Sequence, residues 1–272
     1  MPELPEVETI ARGLDAQVQG LRVMTACLYT PSVLHAGTVD TLPGARILQV
    51  TRRAKLLLMA LDTGLYLVIH LKMTGRVWLG KPTQALPKHT HLVLGLDNGE
   101  QIVFEDARRF GYCRVETQAS LAAWPFYASL GPEPLAVSAQ ELARIMAGKR
   151  ARIKALLLDQ TCVAGVGNIY ADEALFAAEI HPATQAIHIS SEQLLRLCTE
   201  LQRILALAIK AGGSTISDYR NAYGRSGIFQ NSFAVYGKKG AACPRCSHTL
   251  VAIQVAGRTS THCPHCQVLE VA

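Results

Sequence analysis

The sequence lacks the features that would place a protein in a membrane or outside the cell. No stretch approaches the ~20 consecutive apolar residues that a membrane-spanning helix needs. The opening also lacks the basic segment followed by an apolar run that is typical of a secretory leader. We find no convincing internal repeat or low-complexity tract. These absences favour a globular protein with no membrane association, and we expect it in the cytoplasm.

The chain also lacks the extreme positive charge of a histone-like tail, although its balance is basic. Its 272 residues include 27 Lys and Arg against 21 Asp and Glu, which gives a net charge of +6 and a pI near 8.9. Such a surplus favours a polyanionic partner over an acidic small molecule. The length and the 49% hydrophobic content suffice for two or three domains with genuine cores. Nucleic acid is therefore the partner that composition favours.

A disulfide framework is a further absence. Of the eight cysteines, four lie singly within apolar surroundings. We predict that these four are reduced core residues: Cys27, Cys113, Cys162 and Cys198. The other four form two C-x-x-C pairs near the C-terminus, a spacing that is typical of a metal site.

The two cysteine pairs read CPRC and CPHC, with sixteen residues between them. Four thiolates at this spacing can complete a tetrahedral zinc shell without an open coordination position, so the ion should be structural. A redox dithiol is the alternative, but no thioredoxin-like βαβ pattern surrounds the motif. We expect His262 and His265 to be surface residues. The predicted ligands of one structural Zn ion are Cys243, Cys246, Cys263 and Cys266.

Hydrophobic periodicity predicts a multidomain α+β protein. Residues 1–130 begin with an amphipathic helix and continue with six short β-type runs, which predict an antiparallel β-sandwich. The runs are ARILQVT, KLLLMAL, GLYLVIHL, RVWLG, HLVLGL and EQIVFED. Residues 131–234 show helical spacing, and residues 235–272 carry the cysteine pairs of a predicted zinc-finger hairpin. A glycine-rich polar segment from Gly212 to Gly227 is too long for a simple turn. Within the middle part, helices are expected near residues 139–147, 151–158, 169–178 and 191–211.

The opening MPELPEVET places prolines and glutamates where chain ends are usually frayed. If Met1 is removed, Pro2 presents a secondary amine that is partly unprotonated at neutral pH. Such an amine can attack an aldehyde-level carbon and form an iminium, which is a strong electron sink for elimination. Pro2 is therefore a candidate nucleophile.

Glu3 and Glu6 place carboxyl groups beside this amine. Glu3 could protonate a leaving group or a ring oxygen, and Glu6, one helical turn along, could tune the amine or orient a water. The structural alternative is that Pro and Glu merely suit the first turn of a helix. That alternative explains Pro5 and Glu6, but it explains Pro2 and Glu3 poorly because they precede the helix.

Several motifs together resemble one known family. They are MPELPEVET at the start, DARRFG at residues 106–111, VGNIYADEALF at residues 166–176 and the four-cysteine finger. In this order they resemble the bacterial formamidopyrimidine-DNA glycosylase family over the whole chain. Where that family commonly reads DPRRFG and KHDH, this chain reads DARRFG and KHTH.

The resemblance implies a bifunctional enzyme of base-excision repair. Such an enzyme removes oxidised purines, chiefly 8-oxoguanine and ring-opened formamidopyrimidines, and then cleaves the strand by β,δ-elimination. Its partner would be double-stranded DNA that contains oxidised bases or abasic sites, bound by a monomer in the nucleoid. The resemblance also implies a helix-two-turn-helix in the helical domain, and a loop between Gly212 and Gly227 that covers the extruded purine.

The resemblance assigns roles to five catalytic residues. Pro2 would attack the sugar C1′ and form the Schiff base, Glu3 would assist base loss and sugar opening, and Glu6 would support them. Lys55 matches a lysine that contacts phosphate and the lesion and transfers a proton in β-elimination. Arg258, expected near the tip of the zinc hairpin, matches an arginine that grips phosphates and assists the second elimination.

Other residues match positions that contact DNA. A base inside a duplex must leave the stack before it can react, and side chains must fill the space that it leaves. Met73, Arg108 and Phe110 match this wedge, although Met73 alone could be a core methionine. Arg109 lies in the same DARRFG run and is also expected to contact DNA. The expected phosphate contacts are His89, Lys149, Lys154 and Asn168. Each of these could instead be a solvated polar or charged residue.

Two other functions remain open from the residues. An endonuclease VIII-like enzyme would use the same amine chemistry on oxidised pyrimidines, although those relatives usually open PEGPE. A non-catalytic zinc-finger protein that binds damaged or bent DNA belongs to a different class, and it would form no covalent adduct with its target.

Overall fold

The computed structural model describes residues 2–82, 85–215 and 227–269. The chain divides into two compact units. The N-terminal unit comprises Met1–Ala128 and Ala211–Gln230, and the C-terminal unit comprises Ser129–Lys210 and Asn231–Ala272. Met1 and residues 216–226, on which two of the predictions depend, lie outside the described residues.

The N-terminal unit begins with helix α1 (Leu4–Val18). Its apolar residues recur at helical spacing, so one face of α1 is buried in the core of the unit. Pro5 lies in the first turn, where its missing N–H costs no hydrogen bond. Gly20 follows the helix with a φ of +84°, a conformation that favours glycine at a helix end.

Two four-stranded antiparallel sheets face each other in this unit, in the strand orders β1-β6-β7-β5 and β2-β3-β4-β8. Apolar side chains from both sheets and from α1 form one continuous core, as predicted for a sandwich with a leading helix. Two short helices follow the last strand, α2 (Gln118–Ala123) and α3 (Pro125–Ala128). The strands are β1 (Val23–Leu28), β2 (Ile47–Arg53), β3 (Leu56–Leu61), β4 (Leu65–His70), β5 (Arg76–Gly80), β6 (Thr90–Leu96), β7 (Gln101–Glu105) and β8 (Tyr112–Thr117).

The C-terminal unit combines helices with one hairpin. The helices agree with the predicted segments to within two residues: α4 (Ala139–Met146), α5 (Ile153–Leu158), α6 (Asn168–Ala177) and α7 (Ser191–Lys210). Ser138 caps α4 by accepting a hydrogen bond from the backbone N–H of Glu141. Strands β9 (Val251–Val255) and β10 (Arg258–His262) form the antiparallel hairpin between the cysteine pairs.

One prediction about the cysteines is wrong. Cys113, Cys162 and Cys198 are buried, but Cys27 is exposed. The reason is that β1 buries few of its side chains, so most of this strand faces solvent. No helix in the described part of the chain has the length and apolar character that crossing a bilayer requires.

Candidate active site and nucleic-acid interface

The start of the chain is buried, unlike most chain termini. Pro2 and Glu3 precede α1, and Glu3 is its N-cap residue with an extended backbone. Only 1% of the Glu3 surface is exposed. The Pro2 nitrogen and the Glu3 carboxyl group therefore belong to a buried segment, where electrostatic interactions are stronger than in water.

Glu6 connects this end of the chain to a second segment of the N-terminal unit. Its Oε2 accepts a hydrogen bond from the backbone N–H of Glu3 at 2.9 Å. Its Oε1 accepts two more from Ser214, one from the backbone N–H at 2.7 Å and one from the hydroxyl at 2.9 Å. These donors compensate the burial of the carboxylate. Glu6 thereby fixes Ser214 against the first turn of α1.

Lys55 lies at the two-residue tip of the β2–β3 hairpin, since Arg53 pairs with Leu56. The tip is buried: Lys55 is 8% exposed, and Ala54 beside it adopts a φ of +53°. A buried lysine next to a non-glycine residue in this strained conformation is typical of a functional site.

Two contacts between α1 and β2 show where the Lys55 tip lies. Asp15 accepts a hydrogen bond from the Val50 N–H at 2.6 Å, and Glu8 pairs with Arg52 at 2.9 Å. Moving along β2 toward its tip therefore means moving along α1 toward its N-terminus. The structure thus brings Lys55 to the same end of the unit as Pro2 and Glu3.

His70 is a further residue of this region that the sequence interpretation missed. It pairs with Leu56 across the β3–β4 ladder, and its Nδ1 accepts a hydrogen bond from the Lys72 N–H at 3.0 Å. Burial lowers the pKa of His70 to about 3, and the charges of Lys72 and Lys55 contribute to the shift. The imidazole is therefore neutral and can accept this bond. The signal in the sequence is a histidine that ends an apolar strand, two residues before Lys72 and three before Met73.

The predicted wedge residues are exposed. Met73 is 41% exposed and Phe110 is 51% exposed, so neither belongs to the core. The guanidinium of Arg108 lies over the Phe110 ring, 4.7 Å from its centroid. Arg109 follows with a φ of +55°. An exposed apolar residue and an exposed aromatic residue in a basic loop are suited to contact with unstacked bases.

His89 is half-buried next to the same region. It lines a cavity of about 250 Å³ together with Arg76 and Glu105, which form an ion pair at 3.3 Å. The His89 carbonyl accepts the backbone N–H of Asp106 at 3.0 Å, which joins it to the run that contains Arg108. His89 thus lies beside the loop that carries Arg108 and Phe110, so a nucleic acid bound by that loop is within its reach.

In the C-terminal unit, Arg258 lies next to the hairpin tip, near where it was expected. It pairs with Val255, and the two turn residues, Ala256 and Gly257, have φ values of +50° and +69°. Both values are positive, as in the tight turns that join antiparallel strands. Arg258 is exposed, so its guanidinium is available to a ligand.

The structure places Lys154 differently from the expectation of a phosphate contact. Its side chain is fully buried, and its Nζ lies 2.7 Å from Asp172 Oδ1 and 3.2 Å from the carbonyl of Thr259. The same Asp172 carboxylate accepts the Ser260 hydroxyl at 2.6 Å and the Thr261 N–H at 3.1 Å. Lys154 therefore connects strand β10 to helix α6 through hydrogen bonds, which is a structural role.

Asn168 and Lys149 occupy more accessible positions. Asn168 is the first residue of α6, and its Nδ2 donates to the Thr259 carbonyl at 3.0 Å. Lys149 is exposed after α4, with its Nζ 3.8 Å from the sulfur of Cys162. Lys149 and the backbone at the start of α6 are suited to phosphate.

The four predicted zinc ligands converge. All four sulfur atoms lie within 4.8 Å of one another, and individual Sγ–Sγ distances range from 3.4 to 4.0 Å. Tetrahedral zinc with Zn–S bonds of about 2.3 Å implies sulfur separations of about 3.8 Å, so the cluster fits one ion. Backbone N–H groups of Arg245 and Cys266 point at Cys243 Sγ and Cys263 Sγ at 3.4 Å, as expected for thiolates.

His262 corrects a prediction within this finger. It is 3% exposed and not a surface residue, because its ring meets that of His181 edge-on, with centroids 4.5 Å apart. His265 is exposed, as predicted, and its ring stacks on that of His248 with centroids 4.4 Å apart. Neither belongs to the four-sulfur cluster.

Comparisons with known proteins cover the whole chain. Residues 1–113 match the formamidopyrimidine-DNA glycosylase N-terminal domain, residues 130–220 match the H2TH domain of the same glycosylase, and residues 240–268 match the zinc finger found in FPG and IleRS. The formamidopyrimidine-DNA glycosylase of Chloroflexus aurantiacus is 44% identical over 275 residues, and the alignment covers 98% of each protein.

Solved structures agree with the sequence comparisons. A point mutant of Lactococcus lactis FPG in complex with DNA that contains Fapy-dG superposes with a TM-score of 0.91 at 33% identity, covering 98% of this chain and 100% of that one. Lactococcus lactis Fpg in complex with abasic-site DNA gives a TM-score of 0.90 at 33% identity, covering 97% of this chain and 99% of that one. With its sandwich, its helical segment and its four-cysteine finger all matched, the chain belongs to the formamidopyrimidine-DNA glycosylase family.

Proposed function

We propose that this chain is a DNA glycosylase and abasic-site lyase that excises oxidised purines through a Schiff base on Pro2. The observation that carries the proposal is the burial of Pro2 and Glu3 ahead of α1, in a chain that aligns end to end with formamidopyrimidine-DNA glycosylases. Its structural relatives were solved with DNA that contains a formamidopyrimidine or an abasic site. Duplex DNA with such lesions is the proposed substrate, which implies action on the nucleoid in the cytoplasm.

In this mechanism, the nitrogen of Pro2 bonds to C1′ of the lesion nucleotide, and the bond from C1′ to the base breaks. Glu3 supplies the proton for the departing base or for the ring oxygen as the sugar opens. The positive iminium then accepts the electrons released when the C2′ proton is removed, and the 3′ phosphate leaves. Lys55 would move protons in this step.

A second elimination completes the cleavage. Removal of a proton from C4′ expels the 5′ phosphate, so the sugar remnant is free of both DNA ends. Water then hydrolyses the iminium, which releases the remnant as an aldehyde and regenerates the Pro2 amine. Arg258 would hold the flanking phosphate during this step, because a guanidinium binds phosphate through paired N–H donors. The zinc ion would hold the finger hairpin through its four thiolates; with no open coordination position, it takes no part in the chemistry.

Met73, Arg108 and Phe110 give access to the lesion. A base must rotate out of the duplex at a cost of a few kcal/mol, and the wedge offsets that cost by replacing the lost stacking. The exposure of all three side chains supports this role. Lys149, the start of α6 and His89 would bind the DNA backbone.

Borohydride trapping tests the proposal. Reduction during turnover should join the wild-type protein covalently to a duplex that contains 8-oxoguanine, and Pro2→Gly should lose the adduct. A protein that binds lesion DNA without an adduct would belong to the non-catalytic class. Faster trapping on an oxidised pyrimidine than on 8-oxoguanine would favour the endonuclease VIII-like alternative.

A further inference from the structure

Two loops of the N-terminal unit present the wedge, and both cross between the sheets. Residues 71–75 connect β4 to β5 and carry Met73, whereas residues 106–111 connect β7 to β8 and carry Arg108 and Phe110. Each loop leaves one sheet and enters the other. The distance between Met73 and Phe110 therefore depends on the contacts between the 71–75 loop and the 106–111 loop.

One buried carboxylate joins them. Asp106 is fully buried, and its Oδ2 accepts the backbone N–H groups of Phe110 at 2.8 Å and Gly111 at 2.7 Å. Its Oδ1 accepts the N–H of Arg108 at 3.1 Å and the hydroxyl of Thr74, which belongs to the other loop. A carboxylate offers about four acceptor positions, so these donors use all of them.

The backbone around Asp106 needs this support. Arg109 has a φ of +55°, which costs a non-glycine residue conformational energy, and its N–H donates to the Asp106 carbonyl at 3.2 Å. The next residue after Asp106 is Ala107, which does not restrict φ as a proline would, so the loop depends on its hydrogen bonds.

Gly111 shows how closely the carboxylate fits. A Cβ at this position would lie 3.0 Å from the Phe104 ring and 3.2 Å from Asp106 Oδ2. The Asp106 carbonyl also accepts Nε2 of the buried His91 at 2.8 Å. Asp106 is thus held from its backbone and from its side chain, and the Thr74 hydroxyl connects its carboxylate to the other loop.

We propose that Asp106 and Thr74 are positioning residues that set the spacing of the wedge and so control extrusion of the lesion base from the duplex. The inference rests on the proposed function, because it assumes that Met73, Arg108 and Phe110 enter the stack. Neither Asp106 nor Thr74 touches the reacting atoms. Their loss should therefore slow the steps that require an intact stack to open, and spare the chemistry on a nucleotide that is already unstacked.

The test compares Thr74→Val with Thr74→Ser. Valine keeps the shape but removes the donor, whereas serine keeps the donor. Single-turnover excision of 8-oxoguanine from a paired duplex should fall about tenfold in Thr74→Val, the effect of losing one hydrogen bond to a charged group, and should stay within about twofold of wild type in Thr74→Ser. Cleavage of an abasic site placed in a mismatched bubble should stay within about twofold in both.

Active-site titration keeps the result interpretable. The fraction of each preparation that borohydride traps on the bubble substrate gives the concentration of competent enzyme. Excision rates are therefore expressed per competent molecule. Thr74→Ala serves as a second variant without the hydroxyl donor. Equal losses on duplex and bubble, wild-type rates in both donor-free variants, or a wild-type protein unable to cut the bubble would overturn the inference. If the wild type forms no adduct on either substrate, the proposed function fails instead.

Discussion

Glu3 and Glu6 are both buried at the start of α1, where each carboxylate accepts a hydrogen bond from the other residue's backbone N–H in a capping box. Glu6 accepts hydrogen bonds from Glu3 and Ser214 on both of its oxygens, so its carboxylate already has a structural task. The two hydrogen bonds from Ser214 favour a supporting role for Glu6, and Glu3, which adjoins Pro2 in the chain, is the proposed acid.

The first prediction concerns Glu3→Gln. Loss of general acid catalysis should lower single-turnover excision of 8-oxoguanine by about 100-fold or more. Cleavage of a preformed abasic aldehyde should fall by no more than about tenfold, since no base has to be protonated. The matched control is Glu8→Gln on the same helix, because Glu8 pairs with Arg12 and Arg52. Equal losses on both substrates would contradict the assignment.

The second prediction concerns His70 and pH. The pKa of His70 is about 3 in the folded chain, against an ordinary value of 6.5, so only the unfolded chain binds the proton between these values. His70 therefore stabilises the fold above pH 6.5, and this contribution is lost as the pH falls from 6.5 toward 3, by up to about 1.4 kcal/mol per pH unit.

Urea unfolding of wild type and His70→Gln measures this effect. The difference in the free energy of unfolding between the two proteins should shrink as the pH is lowered from neutrality toward about 4.5, within the window that the shifted pKa defines. A difference that stays constant over that range would show that His70 is not held neutral by its surroundings.

At the scale of elements, the buried contacts of β10 explain how the finger arginine is held. Asp172 and Asn168 on α6, together with Lys154 on α5, bind residues 259–261 of the strand that begins with Arg258. The strand is thus fixed by hydrogen bonds along its length. Zinc fixes the ends of the hairpin, and these helical residues fix its middle.

The third prediction follows from this clamp. Lys154→Met should lower the free energy of unfolding by about 3–5 kcal/mol, because it leaves the Asp172 carboxylate buried without its cation. The double variant Lys154→Met/Asp172→Leu should recover part of the loss, since the orphaned charge is removed. Chemical denaturation measures both. A Lys154→Met protein of normal stability but weakened DNA affinity would restore Lys154 to the phosphate contacts.

Lys154 also shows a limit of prediction from sequence. Its partners are Asp172, 18 residues away, and Thr259, 105 residues away. A lysine in a short helical segment carries no sign of such partners, and an exposed charge is the ordinary expectation. The pattern of α5 itself was predictable, because helical periodicity is a local property.

Most strands of the N-terminal unit were predictable from short apolar runs in the sequence. The six interior runs from β2 to β7 were predicted, whereas β1 and β8 were missed. β1 buries only Val23 fully, and β8 carries Arg114 and Glu116, which pair with each other at 2.6 Å. A strand that is exposed or that contains an ion pair lacks the hydrophobic pattern on which the interpretation depends.

At the scale of the whole molecule, the proposed chemistry divides between the two units. The amine, Glu3, Lys55 and the wedge belong to the N-terminal unit, whereas Arg258, Asn168 and the zinc ligands belong to the C-terminal unit. The zinc cluster was the most predictable part of the site, because paired cysteines specify their own geometry. The Asp106 connection was not predictable, because it joins Thr74 to a run 32 residues later.

The fourth prediction concerns removal of zinc. Cys266→Ser should lose the single zinc equivalent and bind lesion duplex at least about tenfold more weakly, since the hairpin that carries Arg258 loses a ligand of its metal. The matched control is Cys27→Ser, because Cys27 is exposed and distant in sequence from the cluster. It should retain one zinc and normal affinity. Metal analysis measures the zinc content of each variant, and a binding titration measures its affinity for lesion duplex. Full affinity without zinc would refute the structural role of the ion.

The most direct measurement of the central claim is the location of the covalent bond to DNA. The protein is trapped with borohydride on a duplex that contains 8-oxoguanine, digested with a protease, and the peptide that carries the sugar remnant is sequenced by mass spectrometry. The account predicts that the remnant lies on the nitrogen of Pro2, in a chain that has lost Met1. A remnant on a lysine such as Lys55, or undiminished trapping by a chain whose first residue is still methionine, would contradict it.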